Sequence, residues 1–214
     1  AGSYSLTYAS GLSLVNSSLG MFAGGATSWT MNTKALTASI ATGSTVYGSS
    51  LIAGAVTLSG VVNGDSVSTA SVAINTSGLL SGAAYLKVGS HVGIQSVTSV
   101  LSGTGASNYS FAGATGNYTV TAKTLTGTIS SGSSVYGASL VAGSVSVSGL
   151  VSGDTVTPAS TVAITTTGNT STSGNLKAGS YTGIQTAAAT LSGADAGNYS
   201  YGGATGSYTV SKAT

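Results

Sequence analysis

An ordered series of motifs occurs twice in this chain of 214 residues, at nearly constant spacing. The first copy carries Val46-Tyr47-Gly48, Val62-Asn63-Gly64-Asp65, Lys87, Gln95 and Asn108-Tyr109. The second carries Val135-Tyr136-Gly137, Val151-Ser152-Gly153-Asp154, Lys177, Gln185 and Asn198-Tyr199. Tyr47 and Tyr136 are 89 residues apart, as are Asp65 and Asp154, whereas Lys87 and Lys177, Gln95 and Gln185, and Tyr109 and Tyr199 are 90 apart. The second copy therefore holds one extra residue between its Asp and its Lys, and the loops at 75–86 and 165–176 are expected to absorb it. Ala1-Gly2-Ser3-Tyr4 matches Ala178–Tyr181, and Gly24-Gly25-Ala26-Thr27 matches Gly202–Thr205. The period thus sets three segments: 1–32, the C-terminal part of a preceding degenerate copy, then repeat domains at 33–121 and 122–214. The strands that would pair with 1–32 are expected to lie upstream of Ala1, or to come from a neighbouring molecule. A fixed period points to stacked like units, which supply length or surface more often than one catalytic centre.

Charged side chains make up 4% of the residues, against roughly a quarter in an ordinary soluble domain. Arg and Glu are absent; the ionisable groups are five Lys, three Asp, one His and eleven Tyr. Disorder goes with low hydrophobicity and high net charge, and here 41% of residues are hydrophobic and the formal charge is +2. A copy of about 90 residues is long enough to close a small core. The scattered lysines argue against nucleic acid. Ser, Thr or Gly breaks every apolar run well short of the roughly 18–20 residues of a membrane helix. With no cysteine there is neither a disulfide framework nor a thiolate metal site.

Alternation of apolar and polar residues marks strands at Ala55–Ser59, Ser66–Ile74, Val97–Leu101, Tyr118–Val120, Val145–Ser148 and Thr155–Ile164, since a strand with one buried face has period two. Val, Ile and Thr suit the pleated surface, and no stretch shows a helical period. Turn residues punctuate the strands at Asn63-Gly64-Asp65, Ser152-Gly153-Asp154, Gly103–Ser107 and Gly113–Gly116. Short strands with a turn every 8–12 residues predict an all-β fold of tandem small β-sandwich (Ig-like) repeat domains. Junctions are expected at Asn32–Ala35 and Thr121–Thr124, connectors short enough for stiff coupling.

This ordered set resembles the YDG and MBG repeat domains of large bacterial surface adhesins of the filamentous-haemagglutinin type. The likeness rests on Val46-Tyr47-Gly48 and Val135-Tyr136-Gly137, on the two Gly-Asp turns, and on Val88-Gly89-Ser90 and Ala178-Gly179-Ser180-Tyr181. It extends to Leu191–Tyr199 and the closing Tyr208-Thr209-Val210. Gly48 and Gly137 stand where an Asp is usual, which is nearer the MBG form; in the degenerate copy Trp29 replaces Tyr118 and Tyr208. The resemblance implies an extracellular or cell-surface stalk of a bacterium, with no enzymatic activity and no cofactor.

Asp65 and Asp154 are expected to serve as turn residues whose carboxylates bond backbone N–H groups. A calcium loop would need clustered oxygens at Asp-x-Asp spacing, and glycoside hydrolysis would need two positioned acids. Asp195 is Gly105 in the sister copy, so the unit does not require it. His91 aligns with Tyr4 and Tyr181, which suits a half-buried ring with a polar edge better than a catalytic base. Tyr47, Tyr136, Tyr109, Tyr199, Tyr118 and Tyr208 recur at fixed places and are expected to pack in the core; exposed, they would stack on sugar rings. Lys87 and Lys177 raise the option of a Lys–Asn isopeptide bond with Asn108 or Asn198, which needs a buried lysine. Glycosylation sequons start at Asn16, Asn75, Asn108, Asn117, Asn169 and Asn198, of which Asn75 and Asn169 are placed in loops and favoured as acceptors.

Two functional classes follow. One is a non-catalytic stalk or filament segment of a secreted bacterial surface protein, self-associating or stacked on neighbouring repeats of a longer chain; scarce charge removes the repulsion that keeps proteins apart, and strand edges pair laterally. The other is a carbohydrate- or surface-binding module that meets surface glycans through exposed Tyr and Thr/Ser-rich strands. Neither membrane insertion nor nucleic-acid binding is expected. With no Arg and five Lys, the folded chain should resist trypsin.

Overall fold

A computed structural model describes residues 2–7 and 26–214. It is an all-β protein: strands dominate, and the described helical residues are two single 3₁₀ turns at Ala106–Asn108 and Ala196–Asn198. No helix among the described residues is long and apolar enough to cross a membrane.

The first two strands, β1 (Gly2–Thr7) and β2 (Ala26–Met31), pair antiparallel with each other, so the described part of 1–32 finds one partner inside its own segment. Trp29 is the Cα partner of Tyr4, as Tyr208 is of Tyr181. Asn16 lies outside the described residues.

The next nine strands are β3 (Lys34–Ile40), β4 (Gly43–Val46), β5 (Val56–Ser59), β6 (Ser68–Thr69), β7 (Ala73–Ile74), β8 (Gly89–Val97), β9 (Leu101–Ser102), β10 (Tyr109–Phe111) and β11 (Ala114–Thr121). After Ala122 alone, the series recurs as β12 (Lys123–Ile129), β13 (Gly132–Val135), β14 (Val145–Ser148), β15 (Thr157–Pro158), β16 (Val162–Ile164), β17 (Gly179–Ala187), β18 (Leu191–Ser192), β19 (Tyr199–Tyr201) and β20 (Ala204–Ser211).

The pairings recur too. β3 lies between β10, parallel to it, and antiparallel β5; β12 lies likewise between β19 and β14. β4 runs parallel to β11 with Gly43 opposite Tyr118, and β13 parallel to β20 with Gly132 opposite Tyr208. The sheets are therefore mixed. β7 and β16 pair antiparallel with β8 and β17, and the two-residue strands β6 and β15 with β9 and β18.

Register relocates the extra residue of the second copy. Thr69 and Pro158 face Leu101 and Leu191, while Ala73 and Ala163 face Ser96 and Thr186. The offset therefore changes between β6 and β7, and not in the expected loops at 75–86 and 165–176. Ser66–Ile74 and Thr155–Ile164 are likewise not continuous strands: each breaks where the chain changes partner, from β9 to β8 or from β18 to β17. Val97 closes β8 and Leu101 opens β9, so the alternation between them belongs to two elements. Gly116 lies inside β11 rather than in a turn; a methyl there would stand 2.7 Å from Ile40 Cβ.

The chain divides into two compact units that cut across the repeat: Ala1–Ala41, Ala53–Ile74 and Gly93–Gly116 in one, Thr42–Ile52, Asn75–Val92 and Asn117–Thr214 in the other. The core of the first gathers Leu36, Ile40, Val97, Tyr109 and Phe111. The second has one cluster around Ile129, Ala187 and Ala204 and another around Leu176, Tyr208 and Val210. Burying side chains of this size contributes about 1.5–3 kcal/mol each.

One substitution pair adjusts this packing. Ala38 and Phe111 of the first copy correspond to Gly127 and Tyr201 of the second. A methyl on Gly127 would stand 2.6 Å from the Tyr201 hydroxyl oxygen. The phenol oxygen thus fills the volume that alanine's methyl occupies in the sister.

Candidate functional site

The recurrent polar constellation begins at a turn. Asp65 N–H donates to Val62 O at 3.0 Å, and Asp154 N–H to Val151 O at 3.2 Å. Gly64 and Gly153, third in each turn, have φ of +93° and +98°, which a residue with a Cβ adopts only under strain. Each turn sets its carboxylate beside the tyrosine that opens β10 or β19. Tyr109 accepts the Val62 N–H at 2.8 Å and donates to Asp65 Oδ2 at 2.5 Å. Tyr199 accepts from Val151 at 2.9 Å and donates to Asp154 Oδ2 at 2.6 Å. The expectation that these carboxylates bond backbone N–H groups is corrected: their donors are phenols. Hydrogen bonds to an ionised acceptor are the stronger class.

At Asp154 the arrangement goes further. Tyr47, of the first copy, also donates to Asp154 Oδ2 at 2.6 Å. Its oxygen lies 2.6 Å from Ser81 Oγ; with the phenol proton committed to a carboxylate that cannot donate, the serine is the donor there. The Tyr47 ring meets Tyr199 edge-on at 5.4 Å between centroids and Tyr85 at 6.1 Å, geometry that adds about 0.5–1.5 kcal/mol per pair beyond burial. Around it Val88 N–H donates to Asn198 Oδ1 at 3.0 Å. Gly82 N–H donates to Asp195 Oδ1 at 3.3 Å, and Thr155 N–H to Asp195 Oδ2 at 3.0 Å. Gly48 is required as well, because a methyl there would stand 2.6 Å from Val151 Cγ2. Together these contacts form a polar joint between consecutive copies.

Burial and then the bond to Asp154 raise the pKa of both tyrosines of the joint, Tyr199 up to about 12 and Tyr47 higher still. The bond to Asp65, followed by desolvation, raises Tyr109. Tyr136, the counterpart of Tyr47, bonds Ser171 Oγ at 3.0 Å and Ser173 Oγ at 3.3 Å instead, and those hydroxyls favour its phenolate and lower its pKa.

The other recurring tyrosines are structural. Tyr118 and Tyr208 are fully buried and accept the N–H of Ile52 at 3.0 Å and of Val141 at 2.9 Å. Each ring lies over the glycine opposite it, Gly43 or Gly132, where a methyl would overlap the ring. His91 Nε2–H donates to Lys87 O at 2.8 Å, and the Tyr181 hydroxyl to Lys177 O at 2.7 Å, so the two rings present the same polar edge. Lys87 and Lys177 are exposed, which removes the buried lysine that an isopeptide bond requires. Asn75 is exposed and its Oδ1 accepts the Ser77 N–H; Asn169 is half-buried in a loop and its carbonyl accepts Lys177 N–H.

Sequence reasoning missed several of the residues that matter most. Gln95 and Gln185 are fully buried. Gln95 accepts Gly54 N–H at 2.6 Å and donates to Ala41 O; Gln185 accepts Gly143 N–H at 2.6 Å and donates to Ser130 O and Ser207 O. A glutamine recurring inside an otherwise alternating strand was the available signal. Asp195, judged dispensable because its sister is Gly105, is 5% exposed and serves the joint that the second copy makes with the first. For Ser81 and Gly48 no local pattern pointed to their roles.

Among the described residues no three His, Cys, Asp or Glu side chains gather to hold a metal ion. Compared with known proteins, the chain matches no family model, no curated protein and no solved structure.

Proposed function

We propose that this chain is a non-catalytic structural segment, a stalk or filament piece of a large secreted bacterial surface protein. In this reading it is built from tandem Ig-like sandwich copies of the YDG/MBG kind and works outside the cell. The observation that carries the proposal is the joint: Tyr47 of one copy donates to Asp154 of the next at 2.6 Å, within a set of backbone bonds to Asp195 and Asn198. Directional bonds between consecutive copies resist bending and sliding, as a load-bearing rod requires. Five of the six recurring tyrosines are buried, with Tyr136 half-buried, which favours packing over stacking on sugars.

Pulling the full chain by its two ends in a single-molecule force instrument tests this. Two cooperative unfolding steps should appear, each releasing on the order of 300 Å of contour from one copy. Smooth extension at low force would overturn the load-bearing role.

A further inference from the structure

The joint has two halves, and each copy carries both. The first copy's Tyr47 half is occupied by the second copy's Asp154 half. Among the described residues no counterpart half meets the Asp65 half of the first copy or the Tyr136 half of the second.

Both leftover halves differ from their occupied sisters in the same sense. Tyr47 is 1% exposed, whereas Tyr136 is half-buried. Gly48 is closed off by Val151, but a methyl on Gly137 would meet nothing within 4 Å among the described residues. Gly153 lies against Ala83, yet a methyl on Gly64 would likewise meet nothing within 4 Å. Asp65 is exposed where Asp154 is half-buried, and Val62 is 51% exposed. The region around Tyr136 is a cavity of about 390 Å³ lined by Tyr136, Ser171, Lys177, Ala178, Lys212 and Ala213. Of their counterparts, Tyr47 and Val88 bond the second copy at the joint, and Ser81 holds the Tyr47 hydroxyl.

We propose that a second copy of this chain docks its Asp65 turn into the Tyr136 cavity, repeating between molecules the bonds that join Tyr47 to Asp154 within one. The Tyr136 hydroxyl then turns from the serines to the Asp65 carboxylate, and Val62 packs on Gly137 as Val151 packs on Gly48. Lys177 and Lys212 bring two positive charges to the side that receives the carboxylate, so the halves are complementary in charge as well as in shape. The contact is heterologous, so it leaves one unused half of each kind and propagates. Gly105 offers no carboxylate of the kind that Asp195 gives Gly82 and Thr155, so the contact between molecules is weaker than the joint within one. The proposal rests on the reading of the chain as a stacked structural segment, and its failure would leave the pulling experiment on that reading intact.

The test is sedimentation velocity of the full chain over a wide concentration range, with two variants. Asp65→Asn impairs one half. Gly137→Asn impairs the other: asparagine tolerates positive φ, its Cβ would meet no described residue within 4 Å, and its side chain fills the place Val62 would take. Wild-type chain should pass from monomer to dimer and higher species, and each variant alone should associate at least about tenfold more weakly. An equimolar mixture of the two should form a 1:1 dimer and stop, because one intact half of each kind remains. Wild-type chain that stays monomeric at millimolar concentration would overturn the proposal. So would a mixture no better associated than its components, or a dimer that persists equally in both variants and therefore uses another face.

Discussion

The hydroxyl of Tyr47 and the carboxylate of Asp154 are separated by 107 positions in the chain and by 2.6 Å in space. Tyr199 reaches the same oxygen at 2.6 Å, so one Oδ2 receives two phenol protons while Oδ1 is buried with no hydrogen-bond partner. At Asp65 a single phenol does this work among the described residues. The second phenol at Asp154 comes from the copy that precedes it in the chain.

Replacing Tyr47 by Phe should therefore cost about 1.5–3 kcal/mol, the range for a hydrogen bond to a charged acceptor. The same change at Tyr136 removes bonds to serine hydroxyls only and should cost under about 1 kcal/mol. Urea denaturation of the two variants measures both. Equal effects would show that the joint adds nothing to stability.

Alkaline titration should separate the tyrosines. Tyr136 should ionise below the ordinary phenol value, and Tyr199 only near 12, with Tyr47 later. A folded pKa above the unfolded value of about 10 means the folded state holds the proton more tightly. The stabilisation is then complete below pH 10 and is lost as pH rises from there toward 12. Phenolate absorbance and circular dichroism, followed together, should show an early step with the fold intact and a late step coupled to unfolding. Ionisation of all tyrosines in one step near pH 10 would contradict the joint.

Gly127→Ala should destabilise the second copy by about 1–3 kcal/mol through overpacking, because the new methyl meets the Tyr201 hydroxyl. Tyr201→Phe should be neutral or mildly stabilising, since that hydroxyl is buried without a partner. The double variant recreates the Ala38 and Phe111 pair and should recover most of the loss, except for the shift needed at Gly203 O, 2.9 Å from the added methyl. Additive losses would rule out volume exchange as the reason for this pair.

Gln185→Leu should cost roughly 3 kcal/mol or more, because Gly143 N–H and the carbonyls of Ser130 and Ser207 each lose a partner and a buried unmade bond costs about 1–3 kcal/mol. Thermal unfolding is the measurement. A loss well under 1 kcal/mol would mean that these groups find other partners.

The sequence by itself determined the all-β class, the repeated strand series and the Gly-Asp turns. Those features are local: period two, β-branched residues, and glycine where φ must be positive act over a few residues each. It also placed Tyr118 and Tyr208 in the core, since a large aromatic ring recurring in an alternating strand faces inward. Only the tertiary structure decided that Ser66–Ile74 splits into two strands, because a break appears where a strand changes partner, and partners are far away in sequence. Only it showed Gln95 and Gln185 as buried bridges, for their acceptors and donors lie in other strands. And only it gave Asp65 and Asp154, alike in their local sequence, different surroundings: a carboxylate's role here depends on whether a tyrosine from the preceding copy arrives beside it, and no short stretch of residues encodes that arrival.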